Sequence, residues 1–144
     1  MPVLVTGANG NLGRAIFERA GEGARFRAAV RSERAASRLA ALPERARPPV
    51  VLVDYAYERS MREAAAGCSA VVHLVGIIKE GANTSYRAAH EDSCAVLARA
   101  AAAENVRRIV YLSIVGSRPS SEHAYLASTG SAAQLLREGP VPTT

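Results

Sequence analysis

Residues 3–14 read VLVTGANGNLGR, an apolar run that breaks into glycines at Gly7, Gly10 and Gly13 and then resumes as a helical pattern. Residues of this type and spacing do no acid–base chemistry; they clear space for phosphate. A strand that enters a helix through a glycine-rich turn leaves backbone N–H groups facing out of the helix N-terminus, where the helix dipole favours an anion. Gly7 would permit the tight turn, Gly10 the close approach of a pyrophosphate, and Gly13 the close packing of helix on strand. The competing reading is an ordinary glycine turn. The run sits directly between a VLV strand and an amphipathic stretch, which is the context that gives spaced glycines the nucleotide meaning. Gly7, Asn9, Gly10, Asn11, Leu12, Gly13 and Arg14 are therefore the candidate dinucleotide contacts of this loop.

Strands and helices must alternate to position such a loop, and the chain reads that way. A helix from about Asn11 to Gly21 follows the first strand. Phe26–Val30 is a second apolar run, and Glu33–Leu42 carries Ala and Leu at helical spacing until Pro43–Pro49 ends it. Val50–Val53 has the uninterrupted apolar character of a strand buried on both faces, and a short helix near Glu58–Ala66 closes at Gly67. Ala70–Val75 is a fourth strand. An Ala-rich helix spans Ser85–Glu104, with Asn105 as its stop, before the strand Ile109–Leu112 and a last helix from about His123 to Arg137. This alternation predicts an α/β fold: a doubly wound parallel sheet of the Rossmann type, about five strands in the order 3-2-1-4-5, with helices on both faces.

In such a sheet the ligand crosses the carboxyl ends of the strands where their order reverses, so residues just after each strand are site candidates. Arg31 follows strand 2, where a carboxylate would hold ribose hydroxyls; an arginine cannot accept from hydroxyls but can grip a 2′-phosphate through its planar fork, with Arg14 able to reach the same group. NADP(H) is favoured on this basis and NAD(H) stays open, since Glu33 is close enough to reverse the preference if strand 2 runs longer. The plain alternative for Arg31 is a surface arginine. Asp54, after strand 3, either accepts from an adenine amino group or makes a turn. Val75 and Gly76 would let the cofactor ribose pass. His73, inside strand 4, reads as a structural core residue, and His90 likewise, with no partner evident.

At 144 residues the chain is long enough for one domain, 1–144, with a sizeable core. No apolar run approaches a membrane span, and strand 1 begins directly after Met1-Pro2, so neither an integral membrane segment nor a signal peptide is expected. Cys68 and Cys94 lack metal-ligand spacing and companions; they read as buried or half-buried thiols of a reducing, cytoplasmic setting, with no metal site. The net charge of +5 comes from 18 Lys and Arg against 13 Asp and Glu, scattered through helices. With aromatics at 5% and no dense basic run, neither a phosphate-tracking stripe nor stacking platforms are visible, so nucleic acid is not an expected partner.

Taken together, the TGxxGxxG form at Thr6–Gly13, Arg31, Asp54, VVHLVGIIKE at Val71–Glu80 and RRIVYLSIVGS at Arg107–Ser117 resemble the atypical and extended branches of the short-chain dehydrogenase/reductase superfamily. Within it the chain is most similar to NmrA-like proteins and to the nucleotide-binding accessory subunit of respiratory complex I. The resemblance implies a catalytic tyrosine with a lysine four residues on, and a serine after strand 5. Tyr125 matches the tyrosine, but Thr129 stands at the lysine and Ile114 at the serine, with Ser113 one residue early and Ser117 or Ser120 as unselected substitutes. A tyrosine of ordinary pKa about 10 is ionised in only about one molecule in a thousand at pH 7, so losing the ammonium removes the means of making it a base. Tyr125 is then a general acid toward a carbonyl, an aromatic wall of the cofactor cleft or plain packing, and the chain a weakly catalytic or non-catalytic binding module. The resemblance further implies a substrate lobe beyond the matching region, so the sequence reads either as a fragment of a longer reading frame or as a cofactor fold used for binding alone, and strand 5 has an edge that a second chain, in a homo-oligomer or with a partner protein, or a terminal segment must cover.

Overall fold

The structure, a computed structural model, describes residues 1–21 and 23–144. Five strands, β1 (Val3–Thr6), β2 (Phe26–Val30), β3 (Val50–Leu52), β4 (Ala70–His73) and β5 (Arg108–Tyr111), form one parallel sheet in the order β3-β2-β1-β4-β5. The central position of β1 follows from its pairing on both sides, Val3 with Phe26 of β2 and with Ala70 of β4. Consecutive residues of a strand point to opposite faces, and two cores result. Val5, Ala28 and Val30 pack with Phe17 of helix α1 (Asn11–Arg19) and Leu39 of α2 (Glu33–Ala40). Leu4, Ala29, Val71 and Ile109 pack on the other face with Met61 of α3 (Glu58–Ala65), Leu97 of α4 (Ser93–Ala103) and Leu136 of α5 (Ala124–Glu138). The doubly wound architecture is therefore as the residue pattern predicts.

Three local differences matter. The strand expected to reach Val75 leaves the ladder after His73: the Leu74 N–H still bonds the Thr6 carbonyl at 3.2 Å, but the chain then splays around the turn at Gly7. The helix expected over 85–104 is not uniform. Arg87–Asp92 is a π-helical stretch that passes into α4 at Ser93, whose hydroxyl donates to the Ala89 carbonyl at 2.7 Å and so competes with the regular ladder. Asn105 ends α4 with φ of 57°, as its residue type suggested.

The third difference concerns the edge of β5. Residues 142–144 run alongside it: the Ile109 N–H bonds Pro142 O at 2.9 Å, the Thr144 N–H bonds Ile109 O at 2.9 Å, and the Tyr111 N–H bonds Thr144 O at 2.8 Å. Of the two covers expected for this edge, the terminal segment is the one that lies along it.

Candidate functional site

The carboxyl ends of β1 to β4 and the π-helical stretch before α4 enclose one cleft of about 790 Å³. Of the residues singled out from the sequence, Gly7, Asn9, Gly10, Arg31, Asp54, Val75 and Gly76 line it together. Asn11, Leu12, Gly13 and Arg14 form the first turn of α1 and do not line the cleft. Tyr125 and Ser113 do not line it.

The loop geometry gives each glycine a distinct reason. Gly7 has φ of 64°, and a Cβ there would lie 2.8 Å from the Leu74 carbonyl oxygen. At Gly13 a Cβ would lie 2.4 Å from Ala8 O, so only glycine lets α1 sit this close to the turn. Gly10, by contrast, meets only Gly7 O at 3.3 Å, and it is the N-cap of α1. No side chain caps this helix and its first turn holds no acid. Among the described residues the Asn11, Leu12 and Gly13 N–H groups have no acceptor, while Arg14 N–H closes on Gly10 O at 3.1 Å. Uncapped amides without a competing carboxylate fit a dianionic pyrophosphate. Arg14 also has its buried Nε without a hydrogen-bond partner among the described residues.

β2 ends at Val30, and Ser32 caps α2 by accepting from the Ala35 N–H at 3.2 Å. Arg31 therefore falls in the connection and faces the cleft, whereas Glu33 is committed to α2 and is absent from the wall. Asp54 both lines the cleft and makes a turn: its Oδ1 accepts the Ala56 N–H at 2.9 Å.

Tyr55, beside it, was not anticipated. Its hydroxyl accepts the Gly7 N–H at 3.0 Å and donates to Ala29 O at 2.8 Å. Burial raises its pKa, with the Gly7 N–H and the Arg31 charge pulling the other way. The only signal in the sequence was an aromatic placed directly after the strand-3 aspartate.

His73 is fully buried, with Nδ1 2.7 Å from Thr6 Oγ1. Desolvation by burial, helped by nearby His90, lowers its pKa to about 4, so it is neutral near pH 7. This is the core role expected of it. His90 differs from expectation, because it does have partners: Nε2 lies 3.1 Å from the Ile77 N–H, and a Cβ on Gly76 would come within 3.3 Å of the same atom. The smallness of Gly76 thus accommodates His90 as well as opening the cleft.

Tyr125 packs its ring against His90 and Tyr86, both at 5.6 Å between centroids, and against His123 at 6.5 Å. Thr129 is buried and its hydroxyl donates to Tyr125 O at 2.8 Å, so the position where the family lysine would stand is taken by a short side chain bonded to its own helix. Because β5 ends at Tyr111, Ser113 lies in the loop, its Oγ 2.7 Å from Ser117 Oγ, and Ile114 is partly exposed. That loop rests on α5 at Gly130, where a Cβ would meet the Arg118 backbone at 2.4 Å.

A sequence model described as NAD(P)H-binding matches residues 7–141. Among solved structures, uronate dehydrogenase from Agrobacterium tumefaciens is 27% identical with a TM-score of 0.75, over 94% of this chain and 54% of that one. A nucleoside-diphosphate-sugar epimerase from Staphylococcus aureus is 22% identical with a TM-score of 0.75, over 99% and 48%. An NADPH-dependent quinone oxidoreductase from Escherichia coli, complexed with NADPH, is 21% identical with a TM-score of 0.76, over 98% and 46%. The chain thus spans about half the length of the solved structures it resembles. No curated protein matches it. Among the described residues, no helix is long and apolar enough to cross a membrane.

Proposed function

The chain belongs to the NAD(P)H-binding family, with the Rossmann fold of the atypical short-chain dehydrogenases/reductases, and from that premise we propose that it is an NADP(H)-preferring, weakly catalytic or non-catalytic binding module of the NmrA-like kind. The observation that carries the reading is the uncapped start of α1 beside a cleft whose far wall holds Arg31 and no carboxylate at the strand-2 end. In this reading the N–H groups at the start of α1 hold the pyrophosphate. Arg31 takes the 2′-phosphate in a charge-assisted pair, with Arg14 of α1 assigned to the same group. Asp54 Oδ2, which the turn leaves free, accepts from the adenine amino group, and Val75–Gly76 flank the nicotinamide ribose.

A bound nicotinamide would supply hydride chemistry, but this chain offers little to direct it. Thr129 brings no ammonium toward Tyr125, and no hydroxyl stands at Ile114. Tyr125 packs its ring on His90, outside the cleft lining. The role is to hold or sense the dinucleotide, in a cytoplasmic setting, as one part of a larger assembly or a longer chain.

A second reading has a specific observation behind it. Tyr125 packs on His90, whose imidazole lies against Gly76 of the cleft wall, and a bound substrate that reached past Gly76 would meet it as a general acid in an NADPH-dependent oxidoreductase. Titrating the chain with NADPH and NADH tests the first reading. Consumption of NADPH with a panel of carbonyl compounds, lost in Tyr125→Phe, would establish the second in its place.

A further inference from the structure

We propose that Tyr55 is a positioning residue that sets the spacing between the phosphate-binding loop and Arg31. The inference rests on the dinucleotide reading above and adds a device within the same site. A single hydroxyl joins two loops and a strand: Tyr55, midway along the β3–α3 loop, accepts the N–H of Gly7 in the β1–α1 loop at 3.0 Å and donates to the carbonyl of Ala29 in β2, two residues before Arg31, at 2.8 Å. Gly7 is held from the opposite side as well, where its Cα approaches the Leu74 carbonyl too closely for any side chain. The turn that opens the phosphate loop is thereby fixed by the Tyr55 hydroxyl and abutted by the Leu74–Val75 backbone that follows β4. The ring itself lines the cleft. Burial disfavours the phenolate, so the proton donated to Ala29 stays in place at neutral pH.

A ligand with anionic groups at both ends of this span gains from a fixed separation, because the loop and the arginine need not be ordered when it binds. A ligand that touches only one end gains nothing. Tyr55→Phe keeps the ring and removes both hydrogen bonds. Its binding of NADPH is expected to weaken about tenfold, the upper range for one buried neutral hydrogen bond, while binding of adenosine 2′-phosphate stays within about twofold. Equal losses for the two ligands, or NADPH affinity unchanged, would overturn the proposal.

Amide exchange at Gly7 provides a second measurement that does not depend on the variant folding. In the wild-type chain without ligand this N–H is expected to be protected by the Tyr55 hydroxyl, and rapid exchange there would contradict the clamp. If the wild-type chain binds neither NADPH nor adenosine 2′-phosphate, the dinucleotide reading itself fails. If it binds both and the variant does not discriminate, only the role of Tyr55 fails.

Discussion

At Arg31, side-chain chemistry and backbone geometry point the same way: β2 ends at Val30, Ser32 is spent on capping α2, and Glu33 is turned into that helix. Arg31→Asp is therefore expected to weaken NADPH binding by roughly one to two orders of magnitude, the worth of a hydrogen bond to a charged group plus the new repulsion. NADH should lose little, and equal losses in paired titrations would remove the 2′-phosphate role. Gly7, Gly10, Gly13 and Arg31 could be singled out from the sequence because their types and positions relative to β1, α1 and β2 follow from a local strand–turn–helix pattern. Tyr55 and His90 could not be read, because what defines them is contact with Gly7, 48 residues away, with Ala29, 26 residues away, and with Ile77, 13 residues away. Nothing in the type of residue 55 announces such partners.

Elements were more legible than side-chain contacts because most strands here are largely apolar runs, although β3, expected to be buried on both faces, is an edge strand that exposes Val50 and Leu52. The strand order followed from the alternation. The π-helical stretch at Arg87–Asp92 did not, since no residue type in the run marks a change of helical hydrogen-bond register. The packing of β4 on β1 makes its own prediction through the buried Thr6–His73 pair. With its folded pKa near 4 and an unfolded value near 6.5, His73 binds its proton more readily in the unfolded chain. Its contribution is therefore fully present above about pH 6.5 and is lost as pH falls toward 4, about 3 kcal/mol over that range. His90, also lowered by burial, adds in the same direction. Urea midpoints should fall steeply between pH 6.5 and 4 and more shallowly in His73→Asn; identical slopes would show that the imidazole is not the group responsible.

For the molecule as a whole, residues 141–144 link the two ends of the sheet argument. Val141 is buried in the core under α5, and the next three residues complete the edge of β5. Deleting 141–144 is expected to cost about 2–4 kcal/mol from lost apolar burial and edge hydrogen bonds. It should also create concentration-dependent association through the bared strand, visible by size-exclusion chromatography. Unchanged stability and a monomeric profile would mean that the segment contributes no more than a surface tail. What the assembled fold offers is a cleft lined by Gly7, Gly10 and Arg31, an uncapped start of α1 beside it, and a Tyr55 hydroxyl bonded to both Gly7 and Ala29. The most direct test is a calorimetric titration of the purified chain with NADPH and with NADH at one fixed salt concentration. The expected result is saturable binding of NADPH, at least about tenfold tighter than NADH as a charge-assisted 2′-phosphate contact requires. Absence of binding for both cofactors would contradict the account at its centre.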